Sequence, residues 1–502
     1  MKFECLTDEY WYGGCVKDGT KMPLTGFSDH TVDTRVNRTP NQAMPFFVSN
    51  KGRYIYKKEG FQATFAGGMI ETDCDVYVSQ AYGDLKRGYL KAVEKEFPFA
   101  GTPAPQLFQA PIYNTWIELT FHQNEQDILH YAMDLLEHRM PPGVIMIDDG
   151  WSEYYGNWRF HLGKFPDPEG MIKTLHQKGF QVMLWLCPFV TADTVAFRDA
   201  LAKDILIKRA DGETYIVRWW NGYSAVLDMS NPAAVSWLKE QLDALTKMGI
   251  DGFKFDAGDS FYYLEENVTF AGTTPNEQSA CWSSFGKQYP YNEYRVTFGE
   301  AGAPLLQRLC DKQHSWTGEG VGGLIQDSLL QGMTGHPFSC PDMIGGGEYA
   351  NFGEALKKGV DEELFIRHAQ IAALMPAMQF SASPFRLLGE DSIRKVMDCV
   401  ELRKKYTEKI RKLVEQAGKT GEPVIRYMAY EFPEDPAEEV IDQFMLGEDL
   451  LVAPIYEKGQ TGREVFLPRG TWMRNGIPYT GRGEKIWAEQ GDDPLILFEK
   501  SE

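Results

Sequence analysis

Residues 143–151 read GVIMIDDGW, residues 181–189 QVMLWLCPF and residues 252–259 GFKFDAGD. Each is a short apolar run that finishes in polar or aromatic side chains. Between them lie amphipathic stretches, MIKTLHQKG at 171–179 and AAVSWLKEQLDALTKMG at 233–249. Asn231-Pro232 opens the second of these and Gly249 closes it, as helix ends favour. Upstream, PIYNTWIELTF (111–121) predicts another strand and QNEQDILHYAMDLLEHRM (123–140) another helix. Strands that are apolar throughout, alternating with amphipathic helices, predict a parallel sheet covered on both sides. Functional groups collected at C-terminal strand ends point to a (β/α)8 TIM barrel. A doubly wound sheet shares that feature, but no Gly-rich phosphate loop follows any strand, and the alternation continues to about Phe385.

Outside the barrel the texture changes. RYIYKK, FQATFAGGMIE and DVYVSQA, punctuated by Gly, Asn and Pro, give the first hundred residues the look of β-structure. FPFAGTPAPQ (97–106) reads as a linker. After the polar helix DSIRKVMDCVELRKKYTEKIRKLVEQAGK (391–419), the runs EVIDQFMLG, DLLVAPIYE and EVFLP imply a C-terminal β-domain. The expected organisation is an α/β protein in four parts. An N-terminal β-sandwich spans 1–105 and the barrel 106–385; a helix and strand at 386–433 link it to a β-domain at 434–502. An irregular stretch at about 260–290 is expected to be a long loop near the site.

Bulk properties narrow the class. With 502 residues, 43% of them hydrophobic, the chain can bury a sizeable core. A formal net charge of −20 argues against nucleic-acid and anionic-membrane partners. The opening MKFECLTDEYWYGG lacks the apolar stretch of a signal peptide, and no window suits a membrane span. The eight cysteines are scattered with no C-x-x-C pair, so reduced thiols in a cytoplasmic protein are expected. The nine histidines show no ligand spacing, and neither a metal nor a cofactor is expected. That charge fits an enzyme acting on neutral molecules, with a homo-oligomer left open.

Acids at strand ends suit glycosidic cleavage, which needs carboxyl groups on both sides of the anomeric carbon, about 5 Å apart in retaining enzymes. The candidates are Asp148, Asp149, Asp228, Asp256, Asp259, Asp311 and Asp342. Asp256 stands out because Lys254 lies two residues earlier on the same strand face. A neighbouring ammonium keeps a carboxylate ionised and nucleophilic; a purely structural Lys–Asp pair is the plain alternative. Asp148 and Asp149 end one strand, alternation lets only one point easily into the barrel mouth, and Asp149 is the favoured one. Trp151 and Trp185 are candidate pocket walls, with core packing as the alternative. His314 is expected to support its loop by hydrogen bonding.

Residues 421–472, GEPVIRYMAYEFPEDPAEEVIDQFMLGEDLLVAPIYEKGQTGREVFLPRGTW, resemble the run that joins barrel to C-terminal sandwich in glycoside hydrolase family 31. GFKFDAGD resembles that family's nucleophile strand, which implies this role for Asp256. MTGHPFSCPDMIGGG (333–347) resembles its Asp-Ile-Gly-Gly segment and implies a substrate-binding place for Asp342. The family's Gly-Asp-Asn is absent, but QRLCDKQHSW sets Asp311 five residues before Trp316, the family spacing for the general acid/base. Glu319, in TGEG, is the rival. The acid is expected to have a raised pKa beside Asp256.

MPAMQFSASPFR (375–386) carries Gln379-Phe380-Ser381 where many α-glucoside enzymes of the family have Arg-x-His. Together with KFDAG, PDMIGGG and the N-terminal WYGG, this resembles a branch that includes α-galactosidases. The same resemblance implies that Trp219 and Arg295 line the sugar pocket, Trp219 by stacking and Arg295 by paired hydrogen bonds to hydroxyls. The leading expectation is a retaining, exo-acting α-galactosidase, with a small oligosaccharide or glycoside as its substrate. α-Glucosidase or α-xylosidase activity, an α-galactosidase of another barrel family, and an inactive carbohydrate-binding protein are the alternatives.

Overall fold

The computed structural model describes residues 1–501. Two four-stranded antiparallel sheets open the chain. One runs in the order Lys2–Glu4, Met69–Thr72, Gln62–Ala66, His30–Asp33; the other Trp11–Cys15, Ala43–Ser49, Tyr54–Tyr56, Tyr77–Val78. Phe47 of the second sheet meets Phe65 of the first at 5.5 Å between ring centroids, so apolar alternation closes a sandwich. The WYGG motif lies in this core as a bulge: pairing with Ala43–Ser49 slips between Gly13 and Gly14. Gly13 has φ +151°, and a Cβ there would lie 2.1 Å from the Phe46 carbonyl oxygen, so only glycine fits. The first hundred residues are not all β-structure, because Leu85–Glu96 is a helix capped by the Asp84 side chain.

The barrel is a parallel sheet whose strands follow in chain order: Ile112–Asn114, Val144–Ile147, Gln181–Leu186, Gly252–Phe255, Tyr291–Tyr294, Gln307–Arg308, Ser339–Cys340, Met343–Ile344 and Gln379–Phe380. Gln379–Phe380 pairs with Ile112–Asn114. Ser339–Cys340 pairs with the strand before it and Met343–Ile344 with the strand after it, so these two segments act as one interrupted strand. The interruption is Pro341-Asp342, where Asp342 holds φ +69°. The helices follow their signals. Asn231 caps Pro232–Met248, Gly249 ends it in the left-handed conformation, and Asp167 caps Pro168–Gln177 with Pro at its start.

Other stretches depart from expectation as well. The strand expected over 111–121 covers only Ile112–Asn114, and Trp116–Leu119 is a short helix. Part of the presumed loop at 260–290 is the helix Pro275–Gly286, opened by a capping box between Thr274 and Glu277; the T-P-N-E sequence was its signal. After Gln181–Leu186 the chain also adds a small antiparallel sheet of Phe189–Thr191, Gly222–Val226 and Ile216–Trp219, whose hairpin reaches the barrel mouth.

The helix Glu390–Thr420 returns along the barrel, and its buried Arg403 donates to the carbonyls of Phe108, Ala373, Met375 and Pro376. Ile425–Arg426 then pairs into a six-stranded antiparallel sheet that ends with Ile496–Lys500 and the hairpin Gly470–Gly481. All eight cysteines are free thiols. Among the described residues, no helix is long and apolar enough to cross a membrane.

Candidate active site

A cavity of about 620 Å³ opens at the C-terminal ends of the barrel strands. It collects Asp148, Asp149, Trp185, Lys254, Asp256, Asp259, Arg295 and Asp311 from successive strands. Glu319 and, from the N-terminal region, Lys17 and Pro40 also line it.

Asp256 follows strand Gly252–Phe255, and the chain then turns sharply through Ala257 (φ +54°) and Gly258 (φ +71°). This turn lifts the carboxylate into the mouth. Its Oδ1 accepts from Arg295 Nε at 3.0 Å and from the Ala257 N–H at 2.8 Å. Oδ2 accepts from Trp185 Nε1 at 3.0 Å. Burial opposes its charge, but the positive charges of Arg295, Lys254 and Arg308, with the Trp185 hydrogen bond, outweigh burial and hold its pKa well below the ordinary carboxylate range. An ionised carboxylate facing a cavity is the state a nucleophile needs.

Lys254 does not bond Asp256. Its Nζ donates to Asp148 Oδ2 at 2.7 Å, with both side chains nearly inaccessible to solvent. Asp148 Oδ1 accepts from the Asp149 N–H at 2.9 Å. Asp149 turns the other way, and its Oδ2 accepts from Tyr155 Oη at 3.0 Å and Asn221 Nδ2 at 2.6 Å. Both acids line the cavity. Burial, reinforced by the charge of Asp148, pushes the Asp149 carboxyl up to about 7.

Arg295 lines the cavity, yet its paired donors are already taken. Nη1 and Nη2 grip Asp259 Oδ1 and Oδ2 at 3.0 and 2.8 Å, and Nη1 also reaches the Pro40 carbonyl. The guanidinium therefore orients Asp256 instead of offering a fork to hydroxyls.

Trp219 requires a correction. It is buried, its Nε1 donates to Ser224 Oγ at 3.0 Å, and its ring packs on Tyr155 and Phe189. The neighbouring Trp220, in the hairpin turn and 48% exposed, lines the cavity with Arg295 5.7 Å from its ring centroid. Strand alternation sends Trp219 inward, and the turn residue escapes that constraint. Trp151 is likewise core, its Nε1 donating to the Trp185 carbonyl. Asp228 lies outside the cavity wall and clamps a loop by accepting from Ser230, Phe270 and Gln278.

Asp342 also lies outside the cavity wall. It is fully buried, with Oδ1 accepting from Arg308 Nη1 at 2.6 Å and Oδ2 from the Lys312 and Gly347 N–H groups. Burial pushes its carboxyl up to about 7 against the pull of Arg308. The same Arg308 Nη1 donates to Asp311 Oδ1 at 2.8 Å. The Asp311 side chain is 38% exposed and faces the cavity. Glu319 is more exposed and forms an ion pair with Lys17 at the rim, which lowers its pKa. Trp316 donates to Asp361 Oδ2 at 3.0 Å, anchoring the loop after Asp311. His314 ties that loop to the Gly345 carbonyl and the Asp361 N–H. Gln379 is buried beneath the site, where it receives a bond from Asn114 and donates to Glu293 Oε2 at 2.6 Å. A second aromatic wall, not among the residues expected from the sequence, is formed by Trp116 and Phe121, from the short helix Trp116–Leu119 and the turn after it, and by Tyr349 at the start of helix Tyr349–Lys358.

Comparisons with known proteins agree with this architecture. The profile of the glycosyl hydrolases family 31 TIM-barrel domain matches residues 105–308, and that of the family's C-terminal domain matches residues 421–501. The barrel match takes in Asp256 and Arg295 and ends three residues before Asp311. A myogenesis-regulating glycosidase of Mus musculus is 33% identical over 384 residues, 74% of this chain and 53% of the relative. The α-xylosidase XylQ of Lactiplantibacillus pentosus is 26% identical over 493 residues, 90% of this chain and 62% of the relative. The chain thus spans little more than half the length of these relatives. Among solved structures, the dextranase of Flavobacterium johnsoniae superposes with a TM-score of 0.87 at 18% identity, covering 100% of this chain and 66% of the other. A sulfoquinovosidase from E. rectale gives 0.83 at 19%, covering 100% and 82%. Those two likenesses establish the fold.

Proposed function

Because the chain belongs to glycoside hydrolase family 31, we propose that it is a retaining, exo-acting α-glycoside hydrolase, with Asp256 as nucleophile and Asp311 as general acid/base. The observation that carries this reading is the placement of Asp256, a carboxylate bonded by Arg295 and Trp185 in a cavity whose wall includes a second acid, Asp311. In the first step Asp256 attacks the anomeric carbon as the bond to the leaving oxygen breaks, and the Asp311 proton passes to that oxygen. In the second, water attacks the same carbon, gives its proton to Asp311 and releases the Asp256 carboxylate. Arg295, Trp185 and the Ala257 N–H hold the attacking group in place. The cavity at the strand ends is of a size that suits a terminal sugar.

For the sugar, an α-galactoside is the favoured substrate class. Its support is the KFDAG, PDMIGGG and MQFSASPFR pattern and the absence of Arg-x-His, Gln379 serving instead as a buried link to Glu293. An α-xyloside is the second reading, favoured by the similarity to an α-xylosidase along 90% of the chain. A panel of nitrophenyl α-galactoside, α-glucoside, α-xyloside, α-N-acetylgalactosaminide and α-sulfoquinovoside separates them. Fastest release from the galactoside is expected. Cleavage of another sugar alone overturns the substrate and keeps the mechanism. Release from none of them overturns the hydrolase reading.

A further inference from the structure

Lys312 follows Asp311 directly, and its side chain runs away from the cavity into the protein. There Nζ donates to Asp327 Oδ2 at 2.6 Å, and both side chains are almost wholly buried. Asp327 lies in the first turn of helix Leu324–Met333. Its other oxygen, Oδ1, is buried with no hydrogen-bond partner. The N-terminal turn Val16–Lys21 closes over this carboxyl: a Cβ on Gly19 would lie 2.5 Å from Asp327 Oδ1 and 2.6 Å from its Cα. The same turn carries Lys17 to the cavity rim. On the opposite side, the Lys312 N–H donates to Asp342 Oδ2 at 2.7 Å, and the Lys312 carbonyl accepts from the Glu348 N–H at 3.1 Å. Asp342 Oδ1 binds Arg308, which binds Asp311.

We propose that Lys312 and Asp327 are positioning residues for Asp311, fixing the backbone from which the acid/base reaches the leaving oxygen. This rests on the assignment of Asp311 as acid/base. Asp342 and Arg308 set one side of that backbone, and the Lys312–Asp327 pair pins the other. A buried ion pair adds little net stability compared with apolar residues of similar volume. Here it supplies direction: a fixed tether one residue from a group that must deliver its proton within hydrogen-bond reach. The N-terminal turn, packed on Asp327 through Gly19, completes the socket. A positional error of about 1 Å at a reacting group can cost on the order of 10²-fold in rate.

The test uses kcat/KM for two α-glycosides of the sugar cleaved best in the panel, a methyl glycoside and a 2,4-dinitrophenyl glycoside. The dinitrophenolate leaves without a proton, so its kcat/KM does not need the acid. Asp327→Asn is expected to lower kcat/KM on the methyl glycoside by about 10-fold to 100-fold, within the cost of misplacement, and to leave the dinitrophenyl value nearly unchanged. K312M combined with D327L leaves no lone buried charge. It is expected to show the same split more strongly, and it carries the test if Asp327→Asn folds poorly. Equal losses on both substrates would mean a merely structural role and overturn the proposal. Asp311→Asn is run alongside. If it shows no split, the acid/base assignment itself fails; if it alone shows the split, only the positioning role fails.

Discussion

Lys254 and Asp148 form a buried ion pair of 2.7 Å that bridges neighbouring barrel positions across strand Gln181–Leu186. Lys254 therefore supports Asp256 by the field of its charge, while the hydrogen bond to Asp256 comes from Arg295. Burial works against the Lys254 charge, and the negative charges of Asp148, Asp256 and Glu293 together more than offset it.

Removing one partner of this pair strands the other. Lys254→Met is expected to lower folding stability by about 3–5 kcal/mol, because Asp148 is left as an uncompensated buried charge. K254M combined with D148N should recover most of that loss. Urea denaturation of the two single variants and the double measures the coupling; simple additivity would contradict the pairing.

Asp256→Ala removes the attacking group. A fall in kcat/KM on the order of 10⁴-fold or more is expected, the scale seen when a nucleophile is deleted. Wild-type turnover by this variant would sink the covalent mechanism.

Trp219 and Trp220 should fail differently. Trp219→Ala opens a cavity among Tyr155, Phe189 and Trp220, and about 3–5 kcal/mol of stability should go with it. Trp220→Ala should leave the thermal midpoint nearly unchanged and raise KM. Melting curves and steady-state kinetics on both variants decide this, and reversed phenotypes would place the wrong tryptophan in the pocket.

Asp149 makes stability depend on pH. Its folded pKa, about 7, lies above the ordinary 3.8, so the folded protein binds a proton that the unfolded chain has released between these values. Its contribution is fully present below about 4 and is lost as pH rises through about 7. Asp149→Asn should flatten the fall of the melting temperature over that window. An unchanged slope would show that Asp149 is ionised throughout.

Much of the fold was legible because its signals are local. GVIMIDDGW, QVMLWLCPF and GFKFDAGD became neighbouring strands, and Asn231, Gly249 and Asp167 became helix ends as their types require. The helices at 85–96 and 275–286 carried signals too, an Asp84 cap and a Thr274–Glu277 capping box, but lay in stretches whose composition suggested strand or loop.

Sequence alone determined that Asp256 stands at the end of a buried strand and that Asp311 lies five residues before Trp316. Only the tertiary structure decided what each side chain touches. Lys254 chose Asp148 over Asp256, Arg295 spent its fork on Asp259, Trp220 took the wall from Trp219, and Asp342 withdrew behind Arg308. Periodicity fixes which face of a strand a residue occupies. Partners come from elsewhere in the chain: 106 positions separate Lys254 from Asp148, and 36 separate Arg295 from Asp259. Barrel closure sets those pairings, and a local pattern carries no record of it.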